Sequence, residues 1–284
     1  MEIQNNISLK KFNTFGIDVL AAHFCEITSI EDLHQVRNTK YFQGPKLILG
    51  GGSNILLTQN FNGLIVHANL KGIQLESTGP EGTIVSAMAG ENWHQFVLWT
   101  LENNLGGIEN LSYIPGNCGT APMQNIGAYG VEIKDVFHSL DALDLATGEI
   151  VNFSKEDCQF GYRESIFKRS GKGKYLILKI YLNLKAENEH ILSTSYGAIK
   201  DELLALGKEA NIHSVSEAVI NIRKRKLPNP QEIGNSGSFF KNPVVSAQKL
   251  AVLKKEFPEI VNYPLENGMH KLAAGWLIEK AGWK

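Results

Sequence analysis

The sequence predicts an α+β fold arranged in successive domains, and three observations lead there. The chain has 284 residues, long for one domain and comfortable for two or three. Short strand-like segments and amphipathic helices are mixed along it, with no internal repeat. Pro228 and Pro230 close a helical pattern and mark a late boundary. The expected division is residues 1–67, 68–227 and 228–284.

Taken in order, the first segment reads strand (23–27), helix (30–38), strand (46–49). Ser29 with Asp32 three residues on is a capping-box start, and Leu33 and Val36 form the buried stripe. Two further strands are expected at 55–57 and 64–67, around a turn at Asn60-Phe61-Asn62-Gly63. The middle region carries strands at 83–88 and 175–182 and a helix over 91–103. Trp93, Phe96, Val97, Thr100 and Leu101 share one face of that helix as core. A glycine-rich stretch from Gly106 to Gly130 follows, and a loop of that length in a compact domain is usually functional. A helix over 215–226 is expected to start from a Ser214/Glu217 capping box, with Val215, Ala218, Val219 and Ile222 facing inward. Helices at 247–256 and 271–281 end the chain.

Composition narrows the function. With 43% apolar and 20% charged residues the chain can bury several cores. A formal net charge of -1 argues against a nucleic-acid face, so anions must be held by local features. Cys25, Cys118 and Cys158 form neither a CxxC pair nor a zinc set and read as free thiols of a reducing compartment. The eight histidines are scattered, and no metal site is expected. The start lacks signal-peptide features, and no apolar run approaches the ~20 residues that cross a bilayer. A cytoplasmic protein without membrane or nucleic-acid partners is the expectation.

Two stretches carry chemistry. Leu47-Ile48-Leu49-Gly50-Gly51-Gly52-Ser53-Asn54 is a strand entering a glycine turn. Such a turn lets backbone N–H groups surround phosphate oxygens, although taken alone it also reads as an ordinary hairpin. It lacks the Gly-Lys-Ser/Thr of a P-loop and does not open into a Rossmann helix. The second stretch runs from Ile114-Pro115-Gly116-Asn117-Cys118-Gly119-Thr120 through Met123-Gln124-Asn125-Ile126-Gly127-Ala128-Tyr129-Gly130. Its small residues and amide donors suit a large planar cofactor, which needs close backbone approach and a few placed hydrogen bonds.

Here the chain resembles a known family. Asn13-Thr14-Phe15-Gly16, the Leu49–Asn54 turn, the Pro115–Gly130 stretch and Phe160-Gly161-Tyr162-Arg163-Glu164-Ser165 occur in its order and spacing. So do Gly237-Ser238-Phe239-Phe240-Lys241-Asn242-Pro243 and Lys271-Leu272-Ala273-Ala274-Gly275-Trp276. Together they resemble the UDP-N-acetylenolpyruvoylglucosamine reductase (MurB) family from about Phe12 to the end. That resemblance implies a two-part FAD-binding region of the vanillyl-alcohol-oxidase (PCMH) type, followed by an α+β substrate-binding domain. It implies non-covalent FAD, with NADPH as co-substrate, and a monomer acting on UDP-N-acetylglucosamine enolpyruvate in peptidoglycan precursor synthesis.

The resemblance also assigns roles. Gly50, Gly51, Gly52, Ser53 and Asn54 would hold the FAD pyrophosphate. Pro115, Gly116, Gly119, Thr120, Met123, Gln124, Asn125 and Gly127 would lie against the flavin. Arg163 would face the substrate carboxylate, its alternative being a surface arginine after a turn. Ser238 would protonate the intermediate formed by hydride addition. Tyr196, otherwise a plain loop aromatic, matches the tyrosine that covers substrate in one subclass. Lys226, within the cationic run Arg223–Lys226 that ordinarily marks a solvated helix end, matches a diphosphate or NADPH ligand. Asn242 matches a substrate-binding asparagine.

Two lookalikes are set aside. Ser238-Phe239-Phe240-Lys241 fits Ser-x-x-Lys but lacks its companion motifs, and Gly234-Asn235-Ser236-Gly237-Ser238 has no triad partners. The family pattern continues beyond Gly275-Trp276-Leu277-Ile278 to a catalytic glutamate, and none of the 29 acidic residues here takes that role by motif. A weakly active or inactive fragment is therefore one expectation. A non-catalytic flavin-binding protein, or another FAD oxidoreductase of the same fold, remains the alternative.

Overall fold

The computed structural model describes every residue except Phe239, Glu266 and Lys284. The chain forms two compact units, Met1–Asn235 and Ser236–Lys284.

The first unit begins with a four-stranded sheet in the order β1-β2-β4-β3. Its strands are β1 (Gln4–Ser8), β2 (Leu20–Ile27), β3 (Lys46–Leu49) and β4 (Phe61–Ala68). β4 runs parallel to both β2 and β3. Alternate residues serve opposite faces, as the two-residue strand period requires. Cys25, Ile27, Leu64 and Val66 pack with Leu33 and Val36 of helix α1 (Ile30–Arg37), while Phe24 and Ile65 enter a second core with Leu9 and Leu49. The capping box of Ser29 and Asp32 is present as expected. A short helix α2 (Lys40–Gln43) follows α1.

Two local expectations fail here. Residues 55–57 form no strand, and 60–63 form no turn, because β4 begins at Phe61. β3 and β4 are parallel, so a tight hairpin cannot join them. Ile55 and Leu57 are instead spent on the core beneath.

A five-stranded antiparallel sheet follows, in the order β10-β9-β11-β6-β5. It comprises β5 (Ile73–Gly79), β6 (Gly82–Met88), β9 (Phe137–Asp144), β10 (Ile150–Ser154) and β11 (Tyr175–Leu184). The small pair β7 (Gly127–Ala128) and β8 (Val131–Glu132) stands apart. Helix α3 (Trp93–Glu102) buries Trp93, Phe96, Val97, Thr100 and Leu101, the face read from the sequence. The stretch 106–130 is ordered by 3-10 turns at Glu109–Leu111, Cys118–Thr120 and Pro122–Gln124.

Helices α4 (Gly197–Leu206) and α5 (Ile212–Lys226) pack through Ile199, Leu203, Val215, Val219 and Ile222. α5 starts earlier than expected because its reciprocal cap is Asn211 with Ser214, not Ser214 with Glu217. Glu217 pairs with Lys208 instead.

The second unit is a three-stranded antiparallel sheet, β12-β14-β13, with two helices. Its elements are β12 (Val244–Ser246), α6 (Ala247–Glu256), β13 (Asn262–Pro264), β14 (Met269–Leu272) and α7 (Ala274–Lys280). Leu250, Ile260 and Leu272 form its core. The helix expected over 271–281 starts only at Ala274, since Lys271 and Leu272 pair with Tyr263 and Asn262 in the sheet.

All three cysteines are free and buried. Among the described residues no cluster of His, Cys, Asp or Glu could hold a metal, and no helix is long and apolar enough to cross a membrane.

Candidate functional site

A cleft in the first unit opens where parallel strand β3 ends, the place where ligands sit in many sheets with parallel strands. Gly50, Gly52, Ser53 and Asn54 line it from one side. Pro115, Asn117, Thr120, Met123 and Gln124 line it from the other. The two predicted stretches are thus brought face to face. A Cβ on Gly50 would meet Thr120 Cγ2 at 2.6 Å, and one on Gly51 would meet Asn117 Oδ1 at 2.7 Å and Gly116 Cα at 3.1 Å. Only glycine allows this approach. Ser53 Oγ–H donates to the Pro115 carbonyl (3.1 Å), and Asn54 Nδ2–H donates to Gln124 Oε1 (2.6 Å).

The Asn13–Gly16 motif supports the turn from behind. The Gly52 carbonyl accepts from Thr14 N–H at 3.1 Å. Asn13 Nδ2 donates to the carbonyls of Leu9 (2.7 Å) and Ile17 (3.0 Å), and its Oδ1 accepts from Ile17 N–H (3.0 Å). The loop behind the cradle is therefore locked by one satisfied side chain. Thr14 Oγ1, in the same loop, is buried without a partner among the described residues.

The second stretch is fastened to the sheet and to α3. Gly116 O accepts from Trp93 N–H (3.0 Å), Cys118 N–H donates to Glu91 O (2.8 Å) and Gly119 N–H to Ala89 O (3.0 Å). Asn125 turns inward: it is fully buried with φ 45°, and its amide donates to Glu132 Oε2 (2.9 Å) and Gly161 O (3.0 Å). Its Oδ1 accepts from Lys134 N–H at 3.1 Å, so Asn125 is engaged in shaping the loop.

Next to this loop lie two arginines. Arg163 sits at φ 55° in a tight bridge between Gly161 and Glu164, and its Nη2 donates to the Gly127 carbonyl at 2.7 Å. Ser165 Oγ–H ties the same segment to Met123 O (2.6 Å). Arg223 of α5 donates through Nε to Tyr113 O (3.0 Å), lies against the Tyr129 hydroxyl and feels the Arg163 charge. Burial pushes the Arg223 guanidinium down from its usual range and the Tyr129 phenol up, with Arg223 opposing the latter shift. Among the described residues neither guanidinium has a carboxylate ion-pair partner. Two uncompensated cations held together favour an anion between or beside them.

Asn110 Nδ2 links the Tyr129 carbonyl (3.1 Å) to the Ser193 carbonyl (2.8 Å). That contact anchors the segment leading to Tyr196, whose half-exposed ring meets Tyr129 edge-on at 5.4 Å. Lys226 is exposed one helical turn beyond Arg223. Arg163 and Tyr196, two of the predicted residues, are thus joined by Tyr129 and Arg223, which sequence reasoning left unassigned. Spacing gave no signal for Arg223, since position 225 borders the buried stripe of α5 as closely as position 223 does.

Ser238 and Asn242 belong to the second unit. Ser238 is exposed beside Gly237, which has φ 70°. Asn242 Oδ1 accepts from Ala274 N–H at 2.9 Å and so caps the start of α7. Phe239 of the same motif lies outside the described residues.

A glycine cradle after a parallel strand, closed by a second small-residue loop, defines a cofactor-binding flavoprotein fold, and residues 21–154 match the family described as FAD binding domain. The chain is 48% identical over 289 residues to a UDP-N-acetylenolpyruvoylglucosamine reductase of Flavobacterium johnsoniae, covering 100% of this chain and 84% of that protein. It is 48% identical over 284 residues to the Pseudomonas putida protein of the same name, covering 99% of this chain and 83% of that one. The crystal structure of the Thermus caldophilus reductase superposes with a TM-score of 0.65 at 21% identity, over 99% of this chain and 80% of that chain. The chain belongs to the UDP-N-acetylenolpyruvoylglucosamine reductase family and is an FAD-dependent oxidoreductase.

Proposed function

We propose that the protein reduces UDP-N-acetylglucosamine enolpyruvate to UDP-N-acetylmuramate in peptidoglycan precursor synthesis, using NADPH and non-covalent FAD. The cleft suits that cofactor. Its glycine turn excludes any Cβ, polar side chains flank the turn, and the Thr14 hydroxyl, in the loop behind the turn, is buried without a partner among the described residues. Gly50–Asn54 would hold the pyrophosphate, and Pro115, Gly116, Thr120, Met123, Gln124 and Gly127 would line the flavin. When bound, FAD accepts hydride from NADPH and supplies it to the enolpyruvyl double bond.

The observation that carries the substrate assignment is that Arg163 and Arg223 have no carboxylate ion-pair partner among the described residues, with Arg223 against Tyr129. Hydride addition at the terminal carbon places negative charge on the neighbouring carbon and its carboxylate. Two guanidiniums at that carboxylate stabilise the developing charge. Ser238 Oγ–H is the proton donor to the carbanionic carbon. Tyr196 covers the bound substrate, and Lys226 meets its diphosphate. Asn242 contributes its Nδ2 group, its oxygen serving α7. Residues 1–67 and 68–227 form the two parts of the FAD region, and 228–284 belong to the substrate domain. A cytoplasmic monomer fits the small-molecule reactants.

The test is a titration of oxidised, FAD-loaded protein with substrate, followed through the flavin spectrum. Losing one charge-assisted contact costs ~1.5–3 kcal/mol, or about 10–100-fold in affinity. Arg163→Met and Arg223→Met should each weaken binding by that factor. Unchanged affinity in both variants would remove the anion-site reading.

A further inference from the structure

The first turn of α3 carries a histidine that the reading above leaves without a role. His94 is half-buried, and its Nδ1 accepts a hydrogen bond from Tyr113 N–H at 3.1 Å. A ring nitrogen that accepts from a backbone N–H is unprotonated, which fixes the neutral tautomer with hydrogen on Nε2. Tyr113 is held at φ 59°, a conformation that non-glycine residues adopt only when something imposes it. Its ring stands edge-on to the imidazole at 5.5 Å, with Lys224 Nζ 5.7 Å from the ring centre. The carbonyl of the same residue accepts from Arg223 Nε–H at 3.0 Å. One residue thus joins His94 on α3 to Arg223 on α5 through its own N–H and C=O.

We infer that His94 is a positioning residue for the substrate anion site. In its neutral form it holds Tyr113 in the left-handed conformation, and the Tyr113 carbonyl then aims the Arg223 fork beside Tyr129 and Arg163. The inference rests on the proposal that Arg223 contacts substrate. Protonating Nδ1 replaces the acceptor by a donor facing a donor, so the link to Tyr113 is lost and Arg223 is released. The charges acting on the ring are the cations Lys224 and Arg223 of α5, and Tyr113 is the titratable side chain against it. Burial first, and these cations second, hold the imidazole pKa below its ordinary value. The folded protein therefore keeps His94 neutral at neutral pH, and the link is lost as pH falls below the ordinary histidine range, ~6.5.

The experiment measures KM for UDP-N-acetylglucosamine enolpyruvate, kcat and NADPH-dependent flavin reduction against pH. It uses the FAD-loaded full chain and its His94→Asn, His94→Leu and Arg223→Met variants. Asparagine offers an oxygen near the Nδ1 position and does not titrate. The wild type should show KM rising about 10-fold in acid, with little change in flavin reduction. His94→Asn should keep a low KM and lose the acid rise. His94→Leu should have a KM raised about 10-fold at every pH. If Arg223→Met raises KM while His94→Leu does not, the positioning role is refuted and the anion site stands. An acid rise retained in His94→Asn also refutes it. If Arg223→Met leaves KM unchanged, Arg223 does not contact substrate and the inference falls.

Discussion

Replacing Gly52 by alanine tests the cradle at its tightest point, with Gly16→Ala as the internal control. Both glycines have left-handed backbones, φ 60° and 66°, in two loops joined by the Thr14 N–H bond to Gly52 O. A Cβ at Gly16 meets nothing within 4 Å. Its cost is the left-handed penalty of ~1–2 kcal/mol, offset by ~0.4–1 kcal/mol from a stiffer unfolded chain. At Gly52 the same atom would lie 2.0 Å from the Phe12 carbonyl oxygen and 2.8 Å from Asn13 Cα. The Phe12 oxygen would have to retreat by about 1.4 Å to reach ordinary 3.4 Å contact. Both obstacles are backbone, held by the three hydrogen bonds of the Asn13 side chain. Overpacking of this kind adds ~1–3 kcal/mol to that net cost, so Gly52→Ala should cost about 1–5 kcal/mol in all. Urea unfolding of the apo-protein measures stability, and quenching of flavin fluorescence measures FAD affinity. Gly16→Ala should lose no more than ~1.6 kcal/mol and keep its FAD affinity. Gly52→Ala should lose about 1–3 kcal/mol more than Gly16→Ala and bind FAD at least tenfold more weakly, since the turn itself moves. If the two variants behave alike in both assays, close approach at Gly52 does not shape the cradle.

Three further outcomes follow from the same structure. Ser238→Ala should leave flavin reduction by NADPH intact and slow reoxidation by substrate ~10²–10⁴-fold; equal slowing of both half-reactions in stopped flow would assign Ser238 to binding or folding. Glu109 is buried with its carboxyl pKa raised by desolvation, so the folded state holds the proton more tightly and stability falls as pH rises through that raised value. Glu109→Gln keeps an acceptor for Gly107 N–H and should flatten that decline between urea midpoints at about pH 5 and 8; an unchanged slope would contradict it. Burial pushes the Cys25 and Cys158 thiols up to about 12 and Cys118 well above its usual value, so native protein should resist a thiol reagent that labels all three after unfolding.

The helices were the most legible part of the sequence. In α1, α3 and α5 a 3.6-residue stripe ends up buried, as at Trp93–Leu101 and Val215–Ile222, whereas α4 (Gly197–Leu206), which buries Ile199 and Leu203, was not expected. Strands β9 and β10 escaped notice because their pattern is broken by outward polar residues such as Ser139, Asp141 and Asn152. Residues 55–57 look like a strand in isolation, and only the long-range parallel pairing of β4 denies them partners. The cradle glycines were readable because their spacing is local. Arg223 was not, since the reason for its position is Tyr113, 110 residues earlier in the chain. Asn125 shows the converse. An amide in a cofactor-like motif is spent on Glu132, Gly161 and Lys134, contacts that appear only once the loop is folded.

An anaerobic double-mixing experiment on the FAD-loaded protein reads the two half-reactions separately. NADPH is added first, and UDP-N-acetylglucosamine enolpyruvate second. NADPH should bleach the yellow flavin absorbance, the substrate should restore it without oxygen, and UDP-N-acetylmuramate should form in equal amount to the flavin reoxidised. A flavin that NADPH bleaches, that stays bleached with substrate and recovers only on admitting oxygen, would contradict the proposed reaction.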